Sequence, residues 1–95
     1  MILNVRAYPN PFGSSICLEV SCDQNEQVIF RLYNPGGKVI KMSYWKPVNG
    51  INKIILDNLE RLNPGLYLVE LKDHNEEPLF STELLKEEKD LPEIS

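Results

Sequence analysis

This sequence has few side chains arranged as catalytic or metal-binding residues usually are. It has one histidine, His74, and that residue lies in the polar stretch DHNEEP. A nucleophile activated by histidine would depend on this one turn residue, and no cysteine–histidine spacing matches a zinc site. The acidic residues beside His74 lack the glycine and ligand order of a calcium-binding loop, and GGK at 36–38 lacks the longer loop and following helix of a phosphate site. We therefore expect no catalytic residue, no bound metal and no cofactor.

Basic residues and long apolar runs are also in short supply. The chain has 10 lysines and arginines against 14 aspartates and glutamates, and its formal net charge is −4. This balance argues against a nucleic-acid partner, because phosphate binding needs a basic patch. No apolar run approaches the roughly 18 residues of a membrane span. Met1–Asn4 lacks the basic start and apolar core of a signal peptide, so we expect the signal of an exported protein to lie outside this sequence.

The two cysteines, Cys17 and Cys22, lie five positions apart in one predicted strand. An odd separation places them on opposite faces, with about 16 Å of extended chain between them. A disulfide needs Cα atoms within roughly 7 Å. We therefore predict two free thiols, and these leave the redox compartment undecided.

The stretch AYPNPFGSS places two prolines one residue apart, between two aromatic residues. Proline has no N–H and pushes the residue before it into the extended region. The stretch therefore predicts an edge strand in which Pro9 and Pro11 block one hydrogen-bonding edge, while Tyr8, Asn10 and Phe12 share a face.

The pattern that dominates the sequence is an alternation of apolar and polar residues at period two, interrupted by turns such as NPGGK and PVNG. Seven short strands at this spacing predict an all-β fold, a seven-stranded antiparallel immunoglobulin-like or fibronectin-like β-sandwich over residues 1–86. Residues 87–95 are charged and aperiodic, and we predict a flexible acidic tail there. The seven runs are Leu3–Ala7, Ile16–Val20, Val28–Leu32, VIKMSYW, INKIILD, LYLVELK and LFSTELLK.

Two further stretches with aromatic residues, LNPGLY and the pair Tyr44–Trp45, lead to structural predictions. The stretch LNPGLY resembles a tyrosine corner and predicts that Tyr67 is buried, with its hydroxyl bonded to backbone near Leu62. Tyr44 and Trp45 are adjacent in a strand, so one of the two rings points away from the core. An outward ring can stack on a sugar, although such rings more often pack beneath a neighbouring loop.

Four motifs occur in a particular order: YPNPF, RLYNPGGKVI, NGINKIILDNLERLNPGLYLVEL and a closing strand that ends in ELLK. From about Tyr8 to Lys86 this order resembles the type A C-terminal sorting domains of type IX (Por) secretion. The resemblance implies an Ig-like sandwich at the end of a large exported protein, which acts as an address label and not as an enzyme. The implied partners are the outer-membrane type IX translocon, a surface sortase-like peptidase and a preceding cargo domain of the same polypeptide. The implied route leads through the periplasm to the outer-membrane surface or the extracellular space.

The resemblance also selects candidate residues for partner recognition. We expect Lys38 and Lys86 to supply exposed positive charges on an otherwise acidic domain. The residues that match the family motifs by position are Pro9, Asn10, Pro11, Phe12, Gly37, Lys38, Gly50, Gly65, Tyr67 and Lys86.

The chain departs from the family pattern at two places. The stretch DNLERLNPG is longer than the usual link, and Glu87–Ser95 follow the closing strand, where family members tend to stop. A domain that is not terminal would fit an alternative function, a structural Ig-like or fibronectin-like spacer module of a surface or secreted protein. A third hypothesis, a carbohydrate-binding module, depends on Tyr44 and Trp45 alone.

Overall fold

The predicted period-two runs form strands in the structure, a computed structural model that describes residues 2–23 and 25–87. These residues contain seven strands and no helix, so none of them belongs to a helix that could cross a membrane. The all-β prediction is confirmed. The strands are β1 (Ile2–Tyr8), β2 (Ile16–Cys22), β3 (Val28–Tyr33), β4 (Val39–Trp45), β5 (Gly50–Leu56), β6 (Gly65–Asp73) and β7 (Pro78–Lys86).

The strands form two antiparallel sheets. One sheet has three strands in the order β1-β2-β5, and the other has four in the order β4-β3-β6-β7. Neighbours in sequence pair as β1–β2, β3–β4 and β6–β7, whereas β2–β5 and β3–β6 join strands that are distant in the chain. Apolar side chains of both sheets meet in one core, as the β-sandwich prediction requires.

The core follows directly from the alternation in the sequence. In β2 the side chains of Ile16, Leu18 and Val20 are fully buried, while the residues between them are half-buried. Leaving water stabilises the fold by about 1.5–3 kcal/mol for each large apolar side chain, which selects the register that turns the apolar face inward. The buried apolar residues that pack together are Phe12, Ile16, Leu18, Val20, Val28, Phe30, Leu32, Leu56, Leu59, Tyr67, Val69, Leu71 and Leu84.

The cysteine prediction is confirmed. Cys17 and Cys22 are both free thiols; Cys22 is buried, whereas Cys17 is half-buried.

The strand directions divide the connections between two ends of the sandwich. One end, which we call the motif end, carries the connections 9–15, 34–38 and 57–64 together with the end of β7. The opposite end, the far end, carries the connections 23–27, 46–49 and 74–77 and the start of β1. The two ends are separated by the length of the strands, roughly 20 Å for seven residues.

The predicted strand from Tyr8 through Phe12 is wrong. Strand β1 ends at Tyr8, the chain bends at Asn10 and Pro11, and both prolyl peptide bonds are cis. Phe12 instead makes a parallel bridge to Lys86 of β7 and is fully buried, while Asn10 is exposed, so the two side chains share no face. The continuous strand is interrupted by the bend at Asn10 and Pro11, after which the backbone of Phe12 bonds to β7, a strand that is distant in sequence.

Candidate recognition surface

The candidate residues chosen from the sequence are dispersed along the chain, and most of them meet at the motif end. Gly50 is the exception, because it begins β5 at the far end. The residues that the fold brings to the motif end are Pro9, Asn10, Pro11, Phe12, Gly37, Lys38, Gly65, Tyr67 and Lys86.

The first motif is fastened to the end of β7. The backbone N–H of Phe12 donates to the carbonyl of Leu85 at 2.8 Å, and the N–H of Glu87 donates to the carbonyl of Phe12 at 3.0 Å. The side-chain oxygen of Asn10 accepts a third bond, from the N–H of Leu85 at 2.9 Å. We call these three hydrogen bonds the latch. The latch covers the terminal part of the free edge of β7, which a bare edge strand would leave open to pairing.

Phe12 and Tyr67 connect the latch to the core. Their rings meet edge to face, with centroids 5.7 Å apart and an interplanar angle of 81°. The hydroxyl of Tyr67 donates to the carbonyl of Asn63 at 2.7 Å, so the predicted tyrosine corner is confirmed, with its acceptor one residue after Leu62. Burial raises the pKa of the Tyr67 hydroxyl, because the phenolate would lose its hydration.

The second motif forms the β3–β4 turn next to the latch. The N–H groups of Gly37 and Lys38 donate to the backbone and side-chain oxygens of Asn34, each at 2.9 Å. Gly37 has a φ of 87°, a left-handed conformation that glycine adopts at low cost. The turn leaves the Lys38 side chain exposed at the motif end.

Gly65 allows this turn to pack against the start of β6. A Cβ atom placed on Gly65 would lie 2.9 Å from the Cγ atom of Pro35, closer than real carbon contacts come. Gly65 in the stretch LNPGLY is therefore required by Pro35 in the turn NPGGK. This contact between sequence-distant motifs explains why both belong to one surface.

Lys86 corrects the expectation of an exposed charge on the closing strand. Its side chain points inward beside Leu84, and the residue is only 3% exposed. Its ammonium donates to the carbonyl of Glu87 at 3.2 Å. The alternation along β7 turns Lys86 to the core face, so its charge is covered and Lys38 is the lysine that solvent reaches at this end.

Gly50 has a local role at the far end. It has a φ of 109°, and it directly follows the 46–49 connection. Asn52 holds that connection, because its amide donates to the carbonyl of Val48 at 2.7 Å and accepts from the N–H of Val48 at 2.9 Å. The positive φ of Gly50 and the bonds of Asn52 to Val48 give both residues a local structural role at the far end.

Sequence reasoning missed three contributors to the motif end. Leu85 and Glu87 act through backbone groups, which leave no side-chain signal. Leu59 lies in the 57–64 connection, yet it is buried and its N–H donates to the carbonyl of Ser14 at 3.0 Å. Leu59 is one of two leucines in the otherwise polar stretch DNLERLNPG, and this apolar character was the only indication of the anchor.

No cluster of side chains in the described residues is suited to bind a metal. Within 2–23 and 25–87 there is no group of three histidine, cysteine, aspartate or glutamate side chains placed to hold a metal. The Asp73 carboxylate accepts N–H bonds from Asn75 and Glu77 at 2.8 and 2.9 Å, so it orders its own turn.

Tyr44 is 63% exposed while Trp45 packs against the core, which confirms that one ring of the pair points outward.

A comparison with protein families matches most of the chain to one family. The family model described as "Secretion system C-terminal sorting domain" matches residues 6–81 of the 95-residue chain. The match includes the motif YPNPF, the turns NPGGK and PVNG, and the tyrosine corner. It ends in β7 before Lys86. No curated protein matches the chain.

Proposed function

The chain belongs to the family of secretion system C-terminal sorting domains, the sorting signals of type IX secretion, and from this premise we propose that its motif end is the surface that the outer-membrane translocon recognises. The family is not an enzyme family, and it implies a cargo protein exported to the cell surface or the extracellular space. The observation that carries the proposal is the convergence of nine motif residues at one end of the sandwich.

The direction of strand β1 supports this assignment. Strand β1 begins with Ile2 at the far end. A cargo domain joined ahead of β1 would therefore lie opposite the motif end and leave it accessible. In the proposed sequence of events, the domain passes through the periplasm with its cargo and presents the motif end to the translocon. A surface sortase-like peptidase then separates the cargo at the far end.

The motif residues divide into two groups by accessibility. Phe12, Gly65, Tyr67 and Lys86 are buried or half-buried, so we assign them to positioning the latch and the turn. Asn10, Gly37 and Lys38 are exposed together with the two prolines beside Asn10, and we assign direct contact with the translocon to this group. The recognised feature is then a folded surface assembled from several segments, and not the linear end of the chain.

A charge reversal at each end of the sandwich tests the proposal. Lys38 lies at the motif end and Lys46 at the far end; both are exposed, and neither forms an ion pair with a described residue. The domain is placed behind a signal peptide and a reporter in a type IX-competent host, and export is measured by cell fractionation. We expect Lys38→Glu to lower export several-fold and Lys46→Glu to leave it unchanged.

Two results would contradict different parts of the proposal. A wild-type fusion that stays in the periplasm, in a host that exports a control substrate, would remove the sorting function and favour the spacer module. Equal export of the two charge-reversal variants would retain sorting but place recognition outside the motif end.

A further inference from the structure

Among the described residues, strand β5 pairs only with β2 and is an edge of the three-stranded sheet, and its outer face is apolar for a free edge. The outward side chains are Ile51, Lys53 and Ile55. The two isoleucines are 71% and 58% exposed, and the lysine side chain between them is 60% exposed. Edge strands are normally protected because their unpaired N–H and C=O groups can pair with another chain. Here one lysine stands between two exposed apolar residues.

The charges across this sheet alternate up to that free edge. Arg6, Glu19 and Lys53 lie directly opposite one another on β1, β2 and β5. The guanidinium of Arg6 lies 3.6 Å from the Glu19 carboxylate, and the Lys53 ammonium lies 3.8 Å from it on the other side. The next position in this row, on a strand added to β5, would face a positive charge. Opposite charges across neighbouring strands attract.

The inner side of β5 offers space for the same added strand. A groove of about 490 Å³ separates the free edges of β4 and β5, and Phe30, Ile40, Ile54 and Leu56 contribute apolar lining to it. Residues 34–56, which include both edges, contain four lysines and no acidic residue, and the first acidic residue after them, Asp57, also lines the groove. Apolar side chains that point inward from an added strand would therefore contact the apolar part of this groove, which Lys41 and Asp57 also line.

We propose that the free edge of β5 binds an extended segment of a partner protein by strand addition. The segment carries an acidic residue opposite Lys53 and apolar residues two positions before and after it, opposite Ile51 and Ile55. A second copy of this chain does not fit in the centred antiparallel register, because Lys53 would then face its own counterpart. This site is separate from the motif end, and its occupation does not depend on the sorting role.

A pair of synthetic peptides tests the charge and the register together. The probe is acetyl-STIVEVITS-amide, which places glutamate between two isoleucines on one face, and the control is acetyl-STIVKVITS-amide. Each peptide is titrated into the full chain labelled with ¹⁵N, and amide shifts are followed by two-dimensional NMR. We expect the glutamate peptide to shift residues 50–56 and to bind about fivefold more tightly than the lysine peptide.

The variant Lys53→Glu provides the matched control. It changes an exposed side chain, and circular dichroism verifies that the fold is retained. We expect this variant to reverse the preference and bind the lysine peptide more tightly. The proposal is overturned if neither peptide shifts β5, if both bind equally well, or if Lys53→Glu leaves the preference unchanged. Concentration-dependent dimerisation through β5 in sedimentation velocity would also overturn it, since the occupant would then be a second copy.

Discussion

The side-chain oxygen of Asn10 accepts a hydrogen bond from the backbone N–H of Leu85 at 2.9 Å, although the two residues are 75 positions apart. Together with the two backbone bonds of Phe12, this contact joins the opening of the domain to the end of its last strand. The motif end therefore exists only when both segments are folded. Recognition of this surface would distinguish a complete domain from a partly folded one.

The contribution of the Asn10 side chain to the latch can be measured by Asn10→Ala. The substitution leaves the N–H of Leu85 without its acceptor, and we expect the free energy of unfolding to fall by about 0.5–1 kcal/mol. Asn10→Asp retains an acceptor oxygen and is expected to remain close to wild type. Denaturant unfolding measures both variants. An Asn10→Ala protein as stable as wild type would show that the bond does not stabilise the latch.

The aromatic contact between Phe12 and Tyr67 is expected to couple the latch to the tyrosine corner. Phe12→Ala removes a fully buried ring and should lower the free energy of unfolding by about 3–5 kcal/mol. A double-mutant cycle with the milder changes Phe12→Leu and Tyr67→Leu should give a coupling of about 1 kcal/mol. Strictly additive effects would mean that the two rings stabilise the domain independently.

The hydroxyl of Tyr67 predicts a specific pH dependence. Its pKa is raised above the ordinary tyrosine value of 10.0 because burial disfavours the phenolate. The unfolded chain therefore loses the proton first, so the stability from this group is complete below about pH 10 and declines as pH rises through the folded pKa. Tyr67→Phe should lower the free energy of unfolding by about 1 kcal/mol at neutral pH and reduce its decline above about pH 10.

The hydrogen bond that the protonated Tyr8 hydroxyl shares with Cys17, together with burial, raises the pKa of Tyr8 to about 12, which adds a second alkaline contribution. That contribution is common to wild type and to Tyr67→Phe and cancels in the comparison. Denaturant unfolding at several pH values provides the measurement. Parallel pH profiles for the two proteins would be inconsistent with a proton-linked tyrosine corner.

The burial of Lys86 predicts that its charge cannot be reversed without damage to the fold. Lys86→Glu would place a carboxylate beside the carbonyl of Glu87 and lower the free energy of unfolding by about 3–5 kcal/mol. Lys38→Glu alters an exposed turn and should change it by less than about 0.5 kcal/mol. Thermal melts of the two variants give the comparison. Similar melting temperatures would indicate that Lys86 is accessible to solvent.

Two truncations separate the closing strand from the residues beyond it. Deletion of residues 84–95 removes the buried Leu84 and the latch partner Leu85, so we expect the reporter fusion to remain in the periplasm. Deletion of residues 88–95 retains all three bonds of the latch, and export should persist. Those eight residues lie outside the described part of the chain, and their dispensability is a prediction. Loss of export from the shorter deletion would assign them a role in sorting.

The sequence by itself determined the strands, their inward faces and the tyrosine corner. These features depend on local spacing: alternate residues of a strand point the same way, and a tyrosine hydroxyl reaches the backbone four residues upstream. The same local character explains why Cys17 and Cys22 were correctly placed on opposite faces. It also explains why the family motifs were recognisable before their positions in space were known.

Only the tertiary structure decided where the first motif goes and which lysine is exposed. Pro9–Phe12 has the local signature of an extended edge strand, but the hydrogen-bond partner of Phe12 lies on β7, at the other end of the sequence. Lysine side chains are usually exposed, yet the position of Lys86 in the alternation of β7 turns its side chain toward the core. Pairing between distant strands depends on the combined burial of both sheets, and no single segment carries that information. The strands were therefore predictable one at a time, while the assembled motif end was not.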